Sequence, residues 1–544
     1  MTGPAVALTV GPSDWSSAMP APVRSPLYLL VIVATAPACP ARVAVLPDGV
    51  PAPPDTGDPA DTASPDMPPP GMADGTLAID PASTAQVIEG FGGANAWSSL
   101  PSDPAARARV VDLLFSKSRG AGLSMLRNRI PFREQSGNGS TIPDYNDHFL
   151  TYASGQNYQY VTNPDGTKTF SLDWNNWDLA GTRALIAAVG ALGDDGGLAV
   201  VFSSPWTPPN NATTGWKIGV PDPINYPQIG GTLDPAHYAD YADLLADYAN
   251  QFAGKMGVPL AALSIQNEPD WKADYESCAW TAAQVHDFLA VMKAELAKKG
   301  SPGGLRILAP EDADFEETLV LPSLADPDTA DLVGVVAVHQ YDYAETNFAA
   351  KPLPTVASHG KPLWMTEVSQ NTANDATIVD GLYWARMIHT DLTLAQVNAF
   401  SYWWLWSSSS SKQALVGVDG ATVTENKRLF TLGQYSRFVR PGWLRLAVAT
   451  APAAGVLSSA FRDAGGTMLA VVLINPGTEA RTIDLPLAAG SYGALSAWRT
   501  SATESLAEVG AVSVHATVAR VALPAQSVTT VYGAVSPAPW TAVR

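Results

Sequence analysis

Leu263–Trp271 reads LSIQNEPDW: an apolar, strand-like run that ends in Asn267-Glu268-Pro269. A second such run, Pro362–Thr366 (PLWMT), delivers another carboxylate, Glu367. Two acidic residues, each placed where a hydrophobic strand stops, suggest two strand ends meeting at one rim of a parallel β-barrel. Working outward from them, strand-like and helical segments alternate from Thr76 onward. Counting Ile88–Phe91 as the first, the strand candidates continue with Leu123–Arg129, Leu198–Phe202, Leu263–Gln266, Leu305–Ala309, Leu332–His339, Leu363–Thr366 and Val397–Trp404. The runs are short and apolar, as strands buried on both faces should be. Between them lie helical stretches such as Pro235–Met256. There Tyr238, Tyr241, Leu245, Tyr248 and Phe252 mark one apolar face, and Gly257 suits the C-terminal cap. Gly90-Phe91-Gly92-Gly93 reads as a turn where backbone passes closely. The span fits a (β/α)8 TIM barrel over 89–436.

After Arg440-Pro441-Gly442 the period changes. Gly466–Leu473, Arg481–Leu485, Ser513–Val521 and Ser527–Tyr532 are short strand-like segments separated by turn residues, an antiparallel β-sandwich over 437–535. Strands at Leu77–Ile79 and Gln86–Ile88, within 76–88, are expected to complete it. Ahead of these, residues 1–46 read as a targeting region. Leu27–Ala38 is an uncharged apolar run too short to span a bilayer as a mature helix but suited to a signal peptide, with Arg24 before it. Met19 is an alternative start. Export is the reading, with a lipid anchor at Cys39 as the variant; Pro37 departs from the lipoprotein pattern. Residues 47–75, rich in Pro, Asp, Gly and Ala, cannot bury enough apolar surface to fold and read as a linker.

Composition narrows function by exclusion. A formal charge of −19 over 544 residues repels phosphate backbones, so no nucleic-acid partner is expected. Two cysteines, Cys39 and Cys278, build neither a disulfide framework nor a cysteine-rich metal centre. The seven histidines form no metal-ligand spacing, so neither metal nor cofactor is expected. No GxSxG elbow argues for a serine hydrolase. Retaining hydrolysis of a sugar acetal, by contrast, needs a nucleophilic carboxylate and a protonated carboxylic acid roughly 5–5.5 Å apart. Glu268 and Glu367, at the ends of the fourth and seventh strand candidates, meet that need. A lone strand-end glutamate is usually a solvated loop residue; Asn-Glu-Pro after an apolar strand, repeated in kind by Glu367, is more specific.

IEGFGGANAW (Ile88–Trp97), SSPWTPP (Ser203–Pro209), LSIQNEPDW, VVAVHQYDY (Val335–Tyr343), LWMTEVS (Leu363–Ser369) and QYSRFVRPG (Gln434–Gly442) together resemble glycoside hydrolase family 30. The resemblance implies a retaining glycosidase with a barrel fused to a β-domain built from both chain ends. It implies Glu268 as acid/base, Glu367 as nucleophile, and Asn267 on the sugar 2-hydroxyl. Tyr341 would contact the nucleophile, and Arg127 would help hold it ionised. Trp206 and Trp404 match family positions lining the sugar site, and Trp97 and His339 are further wall residues. Trp97, Trp403 and His339 suit simple packing equally. Trp271, Tyr275 and Trp280 are candidates for outer subsites, while Cys278 reads as a small buried residue.

DWKADYESCAW (Asp270–Trp280) and the ending SRFVRPG look most like the bacterial xylanase branch. Xylanases of that branch that require glucuronate grip it with an arginine after strand eight. Here Trp406–Lys412 (WSSSSSK) carries serines, with Lys412 as the cation nearby. The expectation is therefore an exported, monomeric endo-1,4-β-xylanase acting on xylan-type polysaccharide without dependence on glucuronate, with no integral membrane span in the mature protein. Another enzyme of the family, such as an endo-1,6-β-glucanase or a glucosylceramidase-like glycosidase, is the alternative; a non-catalytic carbohydrate-binding protein is a remote one.

Overall fold

The computed structural model describes residues 72–132, 158–165, 168–210, 215–224, 226–341, 348–407, 411–488 and 490–536. The apolar run at 27–38, Cys39 and the Pro/Asp-rich stretch as far as residue 71 lie outside them. No helix among the described residues is long and apolar enough to cross a membrane.

Eight parallel strands form the barrel: β1 Gly90–Ala94, β2 Met125–Ile130, β3 Val200–Pro205, β4 Ala262–Ser264, β5 Arg306–Asp312, β6 Val333–His339, β7 Leu363–Glu367 and β8 Ala399–Ser407. Each pairs with the next, and β8 closes on β1 through Phe400–Phe91 and Ser401–Gly92. Alternation of side chains along each strand sorts the residues into two populations. Met125, Phe202, Ala262, Leu308, Val335, Ala337, Trp364 and Ala399 form one buried cluster drawn from seven of the strands. Phe91, Leu126, Val201, Leu263, Ile307, Val336, Met365 and Phe400 belong to a second cluster, which they share with the surrounding helices. This double burial explains the continuous apolar runs in the sequence.

Gly90–Gly93 is a correction. These residues lie inside β1 rather than in a turn, although the close approach inferred from them is real. A Cβ on Gly92 would sit 2.2 Å from the Met125 carbonyl oxygen. Strand one therefore passes β2 at a distance no side chain permits.

The helices follow their caps. Asp103 accepts from Ala105 N and Ala106 N to start Pro104–Phe115. A reciprocal Thr281–Gln284 capping box starts Ala282–Lys299. Tyr238–Met256 buries the tyrosine and leucine stripe and stops at Gly257, whose φ of 81° needs no Cβ.

A seven-stranded antiparallel sheet packs beside the barrel, and a four-stranded sheet with one parallel edge pair packs on it. Thr84–Ile88 pairs with Trp443–Leu446 in the seven-stranded sheet. The segment Leu77–Ile79 is not itself a strand: pairing occurs at Gly75–Thr76, against Ile483–Asp484, and again through a bridge between Ile79 and Leu487. Met468–Asn475 shows how three layers join. Leu469, Val471 and Leu473 face the core between the two sheets, while Ala470, Val472 and Ile474 join the cluster shared with the barrel helices. Gln434, on helix Lys427–Ser436, locks that contact: Nε2 donates to Thr500 Oγ1 (2.8 Å), and the Gln434 backbone carbonyl accepts from Thr530 Oγ1 (2.7 Å).

Candidate active site

At the C-terminal rim of the barrel, buried charged side chains converge from four strands and from the segment after β4. Arg127 comes from the middle of β2, Glu311 from β5, His339 from the last position of β6 and Glu367 from the last position of β7. Glu268 is not strand-final. The ladder of β4 ends at Ser264, and Asn267 and Glu268 follow after a short break. Asn267 N donates to Pro205 O and Glu268 N to Glu311 O, both at 2.8 Å. Glu268 adopts φ 46°, a left-handed conformation uncommon outside glycine. Such strain persists only where surroundings over-determine it, here the two backbone bonds and the side-chain contacts below.

One oxygen each of Glu268 and Glu367 and a ring nitrogen of His339 lie within 4.8 Å of one another. Glu367 accepts from Arg127 Nη1 on one oxygen and from Tyr341 Oη on the other (2.7 Å). Arg127 spends the rest of its fork on Asn267 Oδ1 (2.5 Å), Ser204 Oγ (3.2 Å) and Glu311 Oε1 (2.9 Å). Glu268 accepts from Tyr275 Oη (3.0 Å), and His339 Nδ1 lies 3.0 Å from its other oxygen. The opposite ring nitrogen, Nε2, faces Glu311 at 3.9 Å and Glu367 at 3.8 Å.

Burial and charge pull against each other throughout. Burial opposes the charged form of His339, but Glu367, Glu268 and Glu311 outweigh it and raise the ring to about 10. Burial pushes Glu311 up, yet Arg127 and His339 hold it at about 2. Burial and the neighbouring Glu268 push Glu367 above its ordinary value, against the pull of His339 and Arg127. The site thus carries two fixed cations among three carboxyls.

Aromatic rings line the same rim. Trp206 lies under the Arg127 guanidinium at 4.7 Å, and Trp97 under that of Arg129 at 4.8 Å. Trp97 meets Trp206 edge-on at 4.9 Å, and Trp403 stacks on Trp404 at 5.1 Å. Trp404 Nε1 donates to Ala96 O (2.9 Å), which ties β8 to the loop after β1. All nine residues expected at the site therefore lie at this one rim.

The loop after Glu268 divides three ways. Tyr275 is buried and hydrogen-bonds Glu268, so it belongs to the centre of the site rather than to an outer subsite. Trp280 packs with Tyr238 and Phe288 in the core. Trp271 alone of the three is open, at 49% exposure. Cys278 is fully buried, as expected. The loop is fastened by two buried cations. Arg129 pairs with Glu276, and Lys217 Nζ donates to Thr207 Oγ1 (2.9 Å), Gln228 O (2.7 Å) and Ser277 O (2.7 Å).

Glu311 escaped sequence reading. Its signal is the one used for Glu268 and Glu367: RILAPED (Arg306–Asp312) is an apolar strand ending in acid. Glu268, His339 and Glu367 are also the one group of potential metal ligands among the described residues. A dication there would face the Arg127 guanidinium, already bonded to Glu367.

Comparison with known proteins agrees with this geometry. A family model described as O-glycosyl hydrolase family 30 matches residues 74–320. The chain is 29% identical over 335 residues to glucuronoxylanase XynC of Bacillus subtilis (strain 168), covering 61% of this chain and 73% of that protein. It is 24% identical over 454 residues to the endo-beta-1,6-galactanase of Hypocrea rufa, covering 78% and 86%. Among solved structures, the glycoside hydrolase family 30 subfamily 8 xylanase Xyn30A from Clostridium acetobutylicum superposes with a TM-score of 0.64 at 28% identity, covering 85% of this chain and all of that one.

Proposed function

We propose that this chain is a retaining enzyme of glycoside hydrolase family 30, whose model matches residues 74–320, and that it is an exported endo-1,4-β-xylanase working by double displacement and independent of glucuronate branches. Glu367 is the nucleophile and Glu268 the acid/base. The observation that carries the mechanism is the pair of carboxyl oxygens within 4.8 Å, the short separation of retaining rather than inverting enzymes. Glu367 is bonded by Arg127 and Tyr341, donors that stabilise an attacking carboxylate. Glu268 stands on the other side of the pair, where it protonates the leaving oxygen and then activates water. Asn267, oriented by Arg127, offers its amide nitrogen to the sugar 2-hydroxyl.

The choice of xylan rests on similarity to two xylanases, and independence from glucuronate on the serine loop. Lys412, the cation of that loop, is already engaged: its Nζ lies 3.3 Å from Asp380, a buried carboxylate that also pairs with Arg428 at 2.5 Å. A 1,6-linked polymer is the second reading, supported by the galactanase relative.

Product analysis on unbranched xylan, glucuronoxylan and a 1,6-β-glucan tests these readings. Similar oligosaccharide ladders from both xylans are expected. Cleavage only beside glucuronate would refute the independence, and activity on the glucan alone would refute the substrate. Glu367→Ala should abolish turnover. Glu268→Ala should cripple polysaccharide cleavage yet spare much activity on aryl glycosides, whose good leaving groups need little protonation.

A further inference from the structure

We propose that Glu311 is a positioning residue: its buried carboxylate holds Arg127 and the ring of His339 where they serve Glu367 and Glu268. The inference rests on the retaining mechanism above. Three placements support it. Glu311 Oε1 is 2.9 Å from Arg127 Nη2, both side chains being wholly buried. The same oxygen faces His339 Nε2 at 3.9 Å, while Nδ1 of that ring meets Glu268. The Glu311 carbonyl accepts the backbone N–H of Glu268 and so helps fix its left-handed turn.

Charge counting gives the carboxylate a task beyond packing. The groups facing the Glu311 carboxylate are Arg127 from β2, Ser204 from β3 and His339 from β6, and the two cations among them in turn face Glu367 and Glu268. Asp312, next along β5, is pushed well above the carboxylate range by burial and by Asp270. Retaining catalysis starts with Glu268 protonated and Glu367 ionised. With Arg127 and His339 positive and Glu311 negative, that state is neutral overall. Without the Glu311 charge it carries one uncompensated positive charge in a dry site, and the cluster relaxes by losing a proton from His339 or Glu268.

The test is the pH dependence of kcat/KM on xylo-oligosaccharides for the full chain and for Glu311→Gln. The basic limb, which reports the acid, should move down by about one pH unit, because removing a buried negative charge from the cluster favours loss of the proton. Activity at the wild-type optimum should fall roughly tenfold, with the loss shrinking toward acid pH. Glu311→Asp, which keeps the charge, should leave the limbs in place even if kcat falls. A uniform loss in Glu311→Gln with unmoved limbs would overturn the proposal.

Should Glu311→Gln fail to fold, NMR of ring-labelled histidine in the wild-type chain decides, with the His339 signal assigned by its loss in His339→Gln. The ring should stay protonated to about pH 10; a neutral ring at pH 7 would overturn the proposal. An inactive wild-type enzyme on xylan would refute the substrate reading alone, because the NMR measurement needs no turnover.

Discussion

Arg127→Lys keeps the charge at the centre of the site but removes the fork. In the native protein one guanidinium serves Ser204 from Nε, Glu367 from Nη1, and Asn267 and Glu311 from Nη2. A lysine ammonium presents three donors from a single point and cannot reproduce that planar spread, so at least one bond to a carboxylate or to Asn267 is lost. A hydrogen bond to a charged group is worth about 1.5–3 kcal/mol. At 1.36 kcal/mol per decade, losing one that persists in the transition state lowers kcat/KM by about 10–150-fold.

Arg127→Met removes the charge as well and leaves two buried carboxylates short of a cation, a loss of about 3–5 kcal/mol in stability. Its pH profile has a definite sign. A cation favours the ionised form of Glu367, so deleting it raises that carboxyl further, and the acidic limb moves to higher pH; in Arg127→Lys the limb stays. The assay is kcat/KM against pH on xylo-oligosaccharides and on an aryl β-xyloside, beside thermal unfolding of each variant. An Arg127→Lys enzyme within about threefold of wild type, or an Arg127→Met enzyme with an unmoved acidic limb, would refute the reasoning.

His389, in the last turn of helix Ile378–Thr390, is buried; burial, aided by Arg445, lowers its pKa to about 4. The unfolded chain takes up that proton near 6.5 and the folded chain does not, so stability should fall by up to roughly 3 kcal/mol as pH drops from 6.5 toward 4. His389→Gln should flatten this part of the curve in urea melts, and an unchanged slope counts against it. Lys412→Ala should leave the ratio of activity on glucuronoxylan to unbranched xylan within about twofold, because its ammonium is committed to Asp380; a tenfold loss on glucuronoxylan alone would show that Lys412 grips the uronate. Trp271→Ala should raise KM on long oligosaccharides by about threefold to tenfold, the worth of one lost aromatic stacking contact, and leave an aryl xyloside unaffected; equal loss on both substrates would place Trp271 elsewhere.

The chain by itself determined the barrel, because period and burial are local properties. Strands buried on both faces, such as Val333–His339, must be apolar throughout, and the tyrosine stripe of Tyr238–Met256 must repeat every three or four residues. It also marked Glu268 and Glu367, since an acid at the end of an apolar run contradicts its surroundings. What it left undecided was every relation between distant residues. Gly90–Gly93 are strand rather than turn because they pair with β2 and β8, which pass too close for a side chain at the glycines, and those neighbours are known only in the closed barrel. Tyr275 stands at Glu268 while Trp280, five residues on, is core, because Arg129 and Lys217 fasten their loop from other strands and loops. Glu311 carried the same local mark as the two other glutamates; what singles it out is an ion pair with a residue 184 positions away (311 − 127). Local pattern sets which side chains turn inward, but the charges that meet there, and so the proton each one holds, are fixed only by tertiary packing.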